Sequence, residues 1–190
     1  CQDHGIRLIL DESFVDFSQD WETSSLLDNG ILQAYPNLIV VKSISKSFGV
    51  PGLRLGILAS ANKELIAQIK KEVSIWNLNS FAEFFMQIYT KYEKDYKRAC
   101  EKFQMERTRF YHALSAVPFL RVIPSEANYF LCEVTDRFSS TELTERLLKD
   151  YNILIKDCDT KNGLQDKNYI RVAVRNTADN NRLVEVLMSL

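Results

Sequence analysis

The stretch NLIVVKSISKSFGVPGLRLGILAS, residues 37–60, decides how this chain is interpreted. It opens with the apolar run Leu38–Val41, which predicts a buried strand. Small and hydroxyl residues follow around Lys46, and then come three glycines with Arg54 among them. A second apolar run, Leu55–Ala59, predicts another strand. A lysine and an arginine eight residues apart, set among hydroxyls and flexible backbone, favour an anionic ligand.

The composition is that of an ordinary soluble globular protein. At 190 residues the chain can form one good core or two small domains. Hydrophobic residues make up 46% and charged residues 26%. The net charge of -1 gives no reason to propose nucleic acid or an anionic membrane as a partner. No apolar run is long enough to cross a bilayer.

The cysteines give no sign of a metal site or of a disulfide framework. The four cysteines lack a C-x-x-C spacing and the chain has only two histidines, so no zinc site is predicted. Cys132 and Cys158 lie in strand-like runs and are predicted to be small buried hydrophobic residues. A reducing, cytoplasmic location is expected. Because residue 1 is Cys1 and a strand is predicted five residues later, we expect a piece of a longer chain that begins within a domain.

A second polar position follows the apolar run IRLIL, residues 6–10, which predicts a strand ending at Asp11. Open α/β sheets place ligand-binding groups at the carboxyl ends of strands. Asp11 or Glu12 could equally cap the following turn, and this segment alone favours capping.

The middle of the chain is predicted to be helical. A short helical patch is expected over residues 24–32, and apolar residues recur at helical spacing over 62–76. Residues 81–117 then form one long helical pattern without Gly or Pro, for which Ser80 is a plausible N-cap. Its aromatic residues could stack on nucleic-acid bases, but the many acidic residues among them favour a helix that bridges two domains.

The last part of the chain predicts a small α+β domain. Four short strands are expected at residues 119–123, 128–134, 153–156 and 169–174. Helices are expected at residues 140–151 and 178–190, the second capped by Asn176 or Thr177. Elements in this order favour helices packed on one face of a sheet.

Lys46 and Asp11 each follow a predicted strand, and together they suit one particular cofactor. A nucleophilic lysine must lose its proton, which partial burial or a nearby cation such as Arg54 assists. Pyridoxal phosphate needs a lysine to hold it as a Schiff base, an acid to keep its ring nitrogen protonated, and a cradle for its phosphate. These roles can be filled by Lys46, Asp11, and the group Ser43, Ser45 and Arg54. A nucleotide-binding P-loop is disfavoured because Lys46 precedes the glycines.

Two motifs carry a family resemblance. DESFVDF, residues 11–17, followed by SISKSFGVPGLRLG, residues 43–56, resembles fold-type-I pyridoxal-phosphate enzymes of aminotransferase class I/II. Within that family the chain most resembles histidinol-phosphate aminotransferases and threonine-phosphate decarboxylases. Further matches extend the resemblance to almost the whole chain: PSEANYFL at 124–131, ILIKDC at 153–158 and YIRVAVR at 169–175.

The resemblance implies an α/β fold that lacks the front of its large domain. Residues 1–78 would be the rear part of the pyridoxal-phosphate-binding large domain, with a mostly parallel sheet. Residues 79–117 would be an interdomain helix, and residues 118–190 a C-terminal α+β small domain. The family is normally a homodimer whose active site borrows residues from the partner. Since other cofactor-binding parts belong to the missing first half, we expect this piece alone to be inactive.

The resemblance also implies roles for individual residues in cofactor binding. Asp11 would pair with the ring nitrogen of the cofactor. Lys46 would form the Schiff base and afterwards move the proton. The phosphate would be bound by Ser43, Ser45 and Arg54.

Substrate-binding roles follow in the same way. Arg171 would grip the substrate carboxylate, a bidentate task that suits a guanidinium group. Asn128 would lie in a turn that approaches the substrate. Lys156 and Arg175 fall where relatives with phosphorylated substrates carry basic groups.

One departure bears on which reaction is expected. Aminotransferases of this family usually have Tyr where this chain has Phe14, and phenylalanine cannot donate a hydrogen bond to the cofactor's ring oxygen. Phe14, the Val-Pro-Gly-Leu-Arg run and the pair Arg171 and Arg175 favour the decarboxylase branch. The primary interpretation is an aminotransferase-like enzyme acting on an amino acid or a phosphorylated amino compound. The alternatives are a decarboxylase of the threonine-phosphate type and a non-catalytic assembly domain.

Overall fold

The computed structural model describes all residues from 1 to 190, and they form two compact units, residues 1–100 and residues 101–190. No helix is both long enough and apolar enough to cross a membrane. The division of the chain into 1–78, 79–117 and 118–190 stays a prediction.

The first unit is built on a three-stranded sheet in the order β1-β2-β3. The strands are β1 (Leu8–Asp11), β2 (Leu38–Ser43) and β3 (Gly56–Ala59). β1 and β2 are parallel, with Asp11 opposite Val41, whereas β2 and β3 are antiparallel. The parallel arrangement predicted for the strands before Asp11 and Lys46 is therefore confirmed. The sheet is mixed, because the chain turns back directly after the lysine loop.

Helices of the first unit are short apart from the last two. They are α1 (Trp21–Ser24), α2 (Asn29–Ala34), α3 (Ile44–Ser47), α4 (Lys63–Glu72) and the start of α5 (Ser80–Ser115). Small apolar clusters pack around the sheet, one formed by Leu32, Leu38 and Val40 and another by Ile44, Leu55 and Ala82.

Two local predictions in the first unit are wrong. The helical patch at 24–32 is two helices instead, because residues 25–28 leave the helical conformation and Asp28 caps α2 by accepting a hydrogen bond from Ile31 N at 3.0 Å. α4 ends at Glu72, although the helical spacing was predicted to reach residue 76, and the Trp76 side chain is 90% exposed. Within residues 1–190, β1 is the edge strand of this sheet, and Ile9 is 64% exposed.

The long helix is confirmed with a small change at its start. α5 runs over 36 residues from Ser80. The Oδ1 atom of Asn79 accepts a hydrogen bond from Ala82 N at 2.9 Å, so Asn79 rather than Ser80 is the N-cap.

The second unit is an α+β domain, as predicted. Its four-stranded antiparallel sheet has the order β4-β5-β7-β6. The strands are β4 (Leu120–Ile123), β5 (Tyr129–Val134), β6 (Lys156–Asp157) and β7 (Tyr169–Ala173), and the helices are α6 (Ser140–Tyr151) and α7 (Thr177–Ser189). β6 has only two residues, fewer than the four predicted.

The core of the second unit lies on one face of this sheet. Fully buried side chains from helices and strands meet there, among them Phe110, Phe130, Leu143, Ile170 and Leu187. Cys132 and Cys158 are buried and not disulfide-bonded, which confirms the prediction for both. Asn176 is the cap of α7, since its Oδ1 accepts from Asp179 N at 2.9 Å.

Candidate active site

A depression lies in the first unit where β1 and β2 end. We call it the β1–β2 depression; its lining includes Asp11, Ser13, Lys42, Ser43, Ser45, Arg54 and Gly56. Its volume is about 410 Å³, within the range of about 300–1,000 Å³ that small-molecule sites occupy. Parallel neighbours bring their carboxyl ends to the same edge of a sheet, which is why a side chain after β1 and side chains after β2 meet here.

Asp11 presents an ionised carboxylate at this edge. Its Oδ1 accepts a hydrogen bond from Ser13 N at 2.8 Å. Hydrogen bonds from Ser13 lower the pKa of Asp11, and the positive charge of Lys46 lowers it further. Asp11 is exposed, so the same carboxylate that caps its turn is also open to a ligand.

Glu12 has a different part in this segment. It is buried, and its two carboxylate oxygens accept from Ser25 Oγ and Leu26 N, each at 2.7 Å. Glu12 therefore holds the following loop in place. The capping interpretation is therefore confirmed for Asp11 and not for Glu12, whose partners are 13 and 14 residues further along the chain, and it leaves the ligand role of Asp11 open.

Lys46 lies in α3, the single helical turn that begins where β2 ends. The residue is exposed, and its Nζ atom lies 4.0 Å from the centroid of the Phe14 ring. Phe14 itself packs near the buried Phe17, with 6.2 Å between ring centroids. The lysine amine is thus held over an aromatic face at the end of β2. Gly49 follows with φ of +66°, a left-handed conformation that favours glycine and turns the chain after α3.

Hydroxyl and guanidinium groups suited to a phosphate line the β1–β2 depression. Ser43 and Ser45 lie on either side of the start of α3. Arg54 is exposed, has a left-handed φ of 53° and forms no salt bridge; its Nη1 lies 3.5 Å from Pro51 O. An arginine without a carboxylate partner can take a phosphate, so this donor set fits the predicted phosphate cradle.

Three of the four predicted substrate-binding residues lie close together in the second unit. Arg171 on β7 is directly opposite Lys156 on β6, and its guanidinium lies 5.2 Å from the centroid of the Tyr129 ring. Asn128 precedes Tyr129, and its carbonyl oxygen accepts from Val174 N at 3.0 Å. Two cations on neighbouring strands, away from the buried face of the sheet, suit a substrate with more than one negative charge.

Arg175 is placed differently. Its Nε donates to Asp179 Oδ2 at 2.7 Å, and its backbone N donates to Asn180 Oδ1 at 3.0 Å. The guanidinium therefore has a carboxylate partner at the start of α7. A role in binding substrate stays a prediction, and it would require the release of this ion pair.

Several residues of this neighbourhood were not predicted from the sequence. Ser13 Oγ accepts a hydrogen bond from Ser43 N at 3.0 Å and so links the two strand ends. Asp16 and Lys42 form a buried ion pair of 2.5 Å beside the β1–β2 depression. The only sequence signal for this pair is a charged side chain at the end of an apolar strand, and its partner is 26 residues away.

The comparison with protein families gives this site its context. The model of the family described as aminotransferase class I and II matches residues 1–187, and the chain belongs to that family. Enzymes of this family depend on pyridoxal 5'-phosphate, the cofactor that the motifs predicted. The predicted fold class is confirmed by the matching structures of the same family.

Several similar proteins are named for phosphorylated amino compounds. The threonine-phosphate decarboxylase of Salmonella typhimurium is 35% identical over 195 residues, which cover 100% of this chain and 50% of that protein. The L-serine phosphate decarboxylase of Sulfurospirillum multivorans is 32% identical over 187 residues, 97% of this chain and 47% of that protein. The crystal structure of histidinol-phosphate aminotransferase from Clostridium acetobutylicum matches with a TM-score of 0.86 at 30% identity, over 98% of this chain and 55% of that one. The chain thus spans about half the length of these relatives.

Proposed function

We propose that this chain carries the lysine half of a pyridoxal-phosphate site in an enzyme that decarboxylates an O-phosphorylated amino acid. The observation that carries the proposal is the arrangement around the β1–β2 depression. An ionised aspartate, two serines and an arginine without a carboxylate partner line it, and Lys46 lies directly beyond Ser45. Each group matches one chemical need of the cofactor.

Asp11 and the phosphate-binding groups would orient the cofactor. Because hydrogen bonds from Ser13 lower its pKa, Asp11 stays a carboxylate and can hold a proton on the ring nitrogen. Ser43, Ser45 and Arg54 would donate hydrogen bonds to the phosphate. When bound, the cofactor withdraws electrons from the substrate's alpha carbon.

Lys46 would act on both cofactor and substrate. Its exposed amine would hold the cofactor covalently, and the same amine would carry a proton to or from the substrate's alpha carbon. Arg171 would bind the substrate carboxylate and Lys156 the substrate phosphate. The homodimer expected from the resemblance stays a prediction.

Decarboxylation is favoured over transamination by two observations. The decarboxylases of phosphothreonine and phosphoserine are the relatives at 35% and 32% identity. Phe14 lies beside the lysine amine where it offers a ring and no hydroxyl. Transamination remains the second candidate, supported by the TM-score of 0.86 to a histidinol-phosphate aminotransferase.

The experiment uses the full-length protein that contains this chain. Pyridoxal phosphate is added, the visible absorbance is recorded, and borohydride reduction is followed by peptide mapping. We expect a modified Lys46, loss of the modification in Lys46→Ala, and no loss in Lys63→Ala, which removes an exposed lysine at the start of α4. A modification elsewhere, or none, would overturn the cofactor role.

The reaction products distinguish decarboxylation from transamination. O-phosphothreonine and O-phosphoserine are supplied separately, with and without 2-oxoglutarate. Release of carbon dioxide without 2-oxoglutarate supports the decarboxylase. A keto product that forms only as 2-oxoglutarate is consumed supports the aminotransferase instead.

A further inference from the structure

The side chain of Asn79 makes two hydrogen bonds, and only one of them caps α5. Its Oδ1 accepts from Ala82 N at 2.9 Å, which is the capping bond. Its Nδ2 donates to Leu53 O at 2.8 Å, across 26 residues of sequence. Because the cap needs the amide oxygen and the loop needs the amide nitrogen, no other orientation of this amide group makes both bonds. Asn79 therefore ties the start of α5 to the residue directly before Arg54.

The backbone of Arg54 has a conformation that needs support from its surroundings. Its φ of 53° and ψ of 43° are left-handed, which residues other than glycine rarely adopt. Such a conformation persists where neighbouring contacts fix it, and it is often found at functional sites. Glycines are present two residues away on either side, at Gly52 and Gly56, yet the left-handed position is occupied by an arginine. This arrangement indicates that the guanidinium side chain has a function at that position.

The carbonyl groups on both sides of Arg54 are held by hydrogen bonds. Asn79 holds the one before it. The one after it, Leu55 O, accepts from Ile44 N at 3.0 Å, and Ile44 is the first residue of α3. Leu55 and Ile44 are buried in one cluster with Ala82 of α5. The backbone of Arg54 is therefore fixed to α5 on one side and to the turn that carries the catalytic lysine on the other.

The side chain of Arg54 is held much less firmly than its backbone. Its Nη1 lies 3.5 Å from Pro51 O, at the limit of a hydrogen bond, and the side chain is exposed. The place of the guanidinium in the lining of the β1–β2 depression thus depends on the backbone from which it extends. Asn79 is not part of that lining, so any effect of Asn79 on a ligand there must pass through Arg54.

We propose that Asn79 is a positioning residue for the phosphate group of the cofactor and acts by holding the backbone of Arg54. The proposal rests on the phosphate-binding role of Arg54 proposed above. The amide group of Asn79 keeps the left-handed residue in place, and the guanidinium is then presented to the phosphate without a search through other loop conformations. Loss of this hydrogen bond should weaken binding of the phosphate and leave binding of the rest of the cofactor unchanged.

The test compares two ligands that differ only in the phosphate. The apo full-length protein is titrated with pyridoxal phosphate and, separately, with pyridoxal, and the ratio of the two Kd values from absorbance is the phosphate preference. The main variant is Asn79→Ser, because serine caps a helix about as well as asparagine but has no amide donor. We expect the phosphate preference to fall by about two- to tenfold, the equivalent of one hydrogen bond, with the Kd for pyridoxal unchanged.

Three further variants complete the test. Asn62→Ser is the matched control, since Asn62 Oδ1 caps α4 by accepting from Leu65 N at 2.9 Å, and it should leave the phosphate preference unchanged. Arg54→Gln gives the preference that remains without the guanidinium, and adding Asn79→Ser to it should cause no further loss. Asn79→Asp keeps the size of the side chain and the capping oxygen but loses the donor, so it replaces Asn79→Ser if that variant does not fold.

The outcomes separate this proposal from the one on which it rests. A wild-type protein that binds both ligands equally well, or whose preference survives in Arg54→Gln, overturns the phosphate role of Arg54. A wild-type preference that depends on Arg54 but persists in folded Asn79→Ser overturns the positioning role of Asn79. A loss in Asn79→Asp that is equally large in the Arg54→Gln background comes from repulsion by the new charge and overturns that role as well.

Discussion

The Lys46 amine lies 4.0 Å from the centroid of the Phe14 ring, so the lysine side chain is held against an aromatic face. The contact fixes the position of the side chain to which the proposed function assigns the cofactor.

Removal of the aromatic ring should slow covalent attachment, because the ring holds the lysine side chain in place. In Phe14→Leu the volume is largely kept but the ring is lost. An exposed cation–π contact amounts to about 0.5–1 kcal/mol, which is a factor of about two to five in the population of the held side chain. We expect the rate of attachment at pH 7 to fall by this factor, measured by stopped-flow absorbance after addition of pyridoxal phosphate.

Phe14→Tyr is the matched control for this change, because it keeps a ring under the amine. Its rate should stay closer to that of the wild-type protein than the rate of Phe14→Leu does. Equal rates for both variants would show that the ring contributes only packing.

The geometry of Arg171 predicts a specific loss on exchange for lysine. A guanidinium binds a carboxylate through two hydrogen bonds, whereas an ammonium acts as a point charge. Loss of one charge-assisted hydrogen bond amounts to about 1.5–3 kcal/mol. Arg171→Lys should therefore raise KM for the phosphorylated amino acid at least about tenfold, measured with the full-length enzyme under steady-state conditions.

Arg121→Lys provides the control on the same sheet. Arg121 lies on β4 and pairs with Glu133 on β5, and it has no assigned role in binding. Its KM should stay near that of the wild-type enzyme. If Arg171→Lys also keeps a KM near that of the wild-type enzyme, then Arg171 does not bind the substrate.

The parts of this structure that the sequence predicted well depend on short-range signals. The capping box formed by Ser139 and Glu142 marks the start of α6, whose predicted bounds of 140–151 are those observed. The parallel neighbours β1 and β2 were predicted from two apolar runs that each end at a polar residue. The prediction that the helical pattern reaches Trp76 was wrong. The backbone becomes extended at Val73, and the apolar spacing continues past the end of α4 by coincidence.

Contacts between residues that are far apart in the sequence could not be predicted from such short-range signals. No sequence pattern around Lys42 predicts its ion pair with Asp16, because the two side chains meet only when β1 and β2 pair. Likewise Lys156 and Arg171 become neighbours through the pairing of β6 with β7, across the loop between them. For the candidate site, the sequence motif predicted the residue types. The pairing of the strands determines which of those residues lie close together.

Glu106 predicts how the second unit responds to acid. Its carboxylate accepts from Arg109 Nη2 and Asn180 Nδ2, both at 2.7 Å, and from Thr177 Oγ1 at 2.8 Å. The hydrogen bonds from Arg109 lower the pKa of Glu106 to about 2 from its usual 4.5, and those from Asn180 and Thr177 add to the effect. The ionised carboxylate therefore stabilises the fold at pH values above about 4.5, and this stabilisation is lost as the pH falls toward about 2.

Glu106→Gln should remove this pH dependence. We expect a loss of about 2 kcal/mol in the free energy of unfolding at pH 7 and a shallower decline between pH 5 and pH 3 than in the wild-type protein. Urea unfolding at several pH values measures both. Glu145→Gln, on the exposed pair with Lys149, should cost far less, and an equal cost for the two variants would contradict the prediction.

The four thiols should differ sharply in reactivity. Cys1 is exposed, while Cys100, Cys132 and Cys158 are buried. Burial raises the pKa of Cys132 to about 12, so that only about one molecule in ten thousand carries its thiolate at pH 8. Iodoacetamide at pH 8 should modify Cys1 in the native protein and leave Cys132 untouched, with all four modified in urea. Mass spectrometry of the peptides reports each site, and rapid native modification of Cys132 would mean that the strand β5 opens far more often than its packing in this core allows.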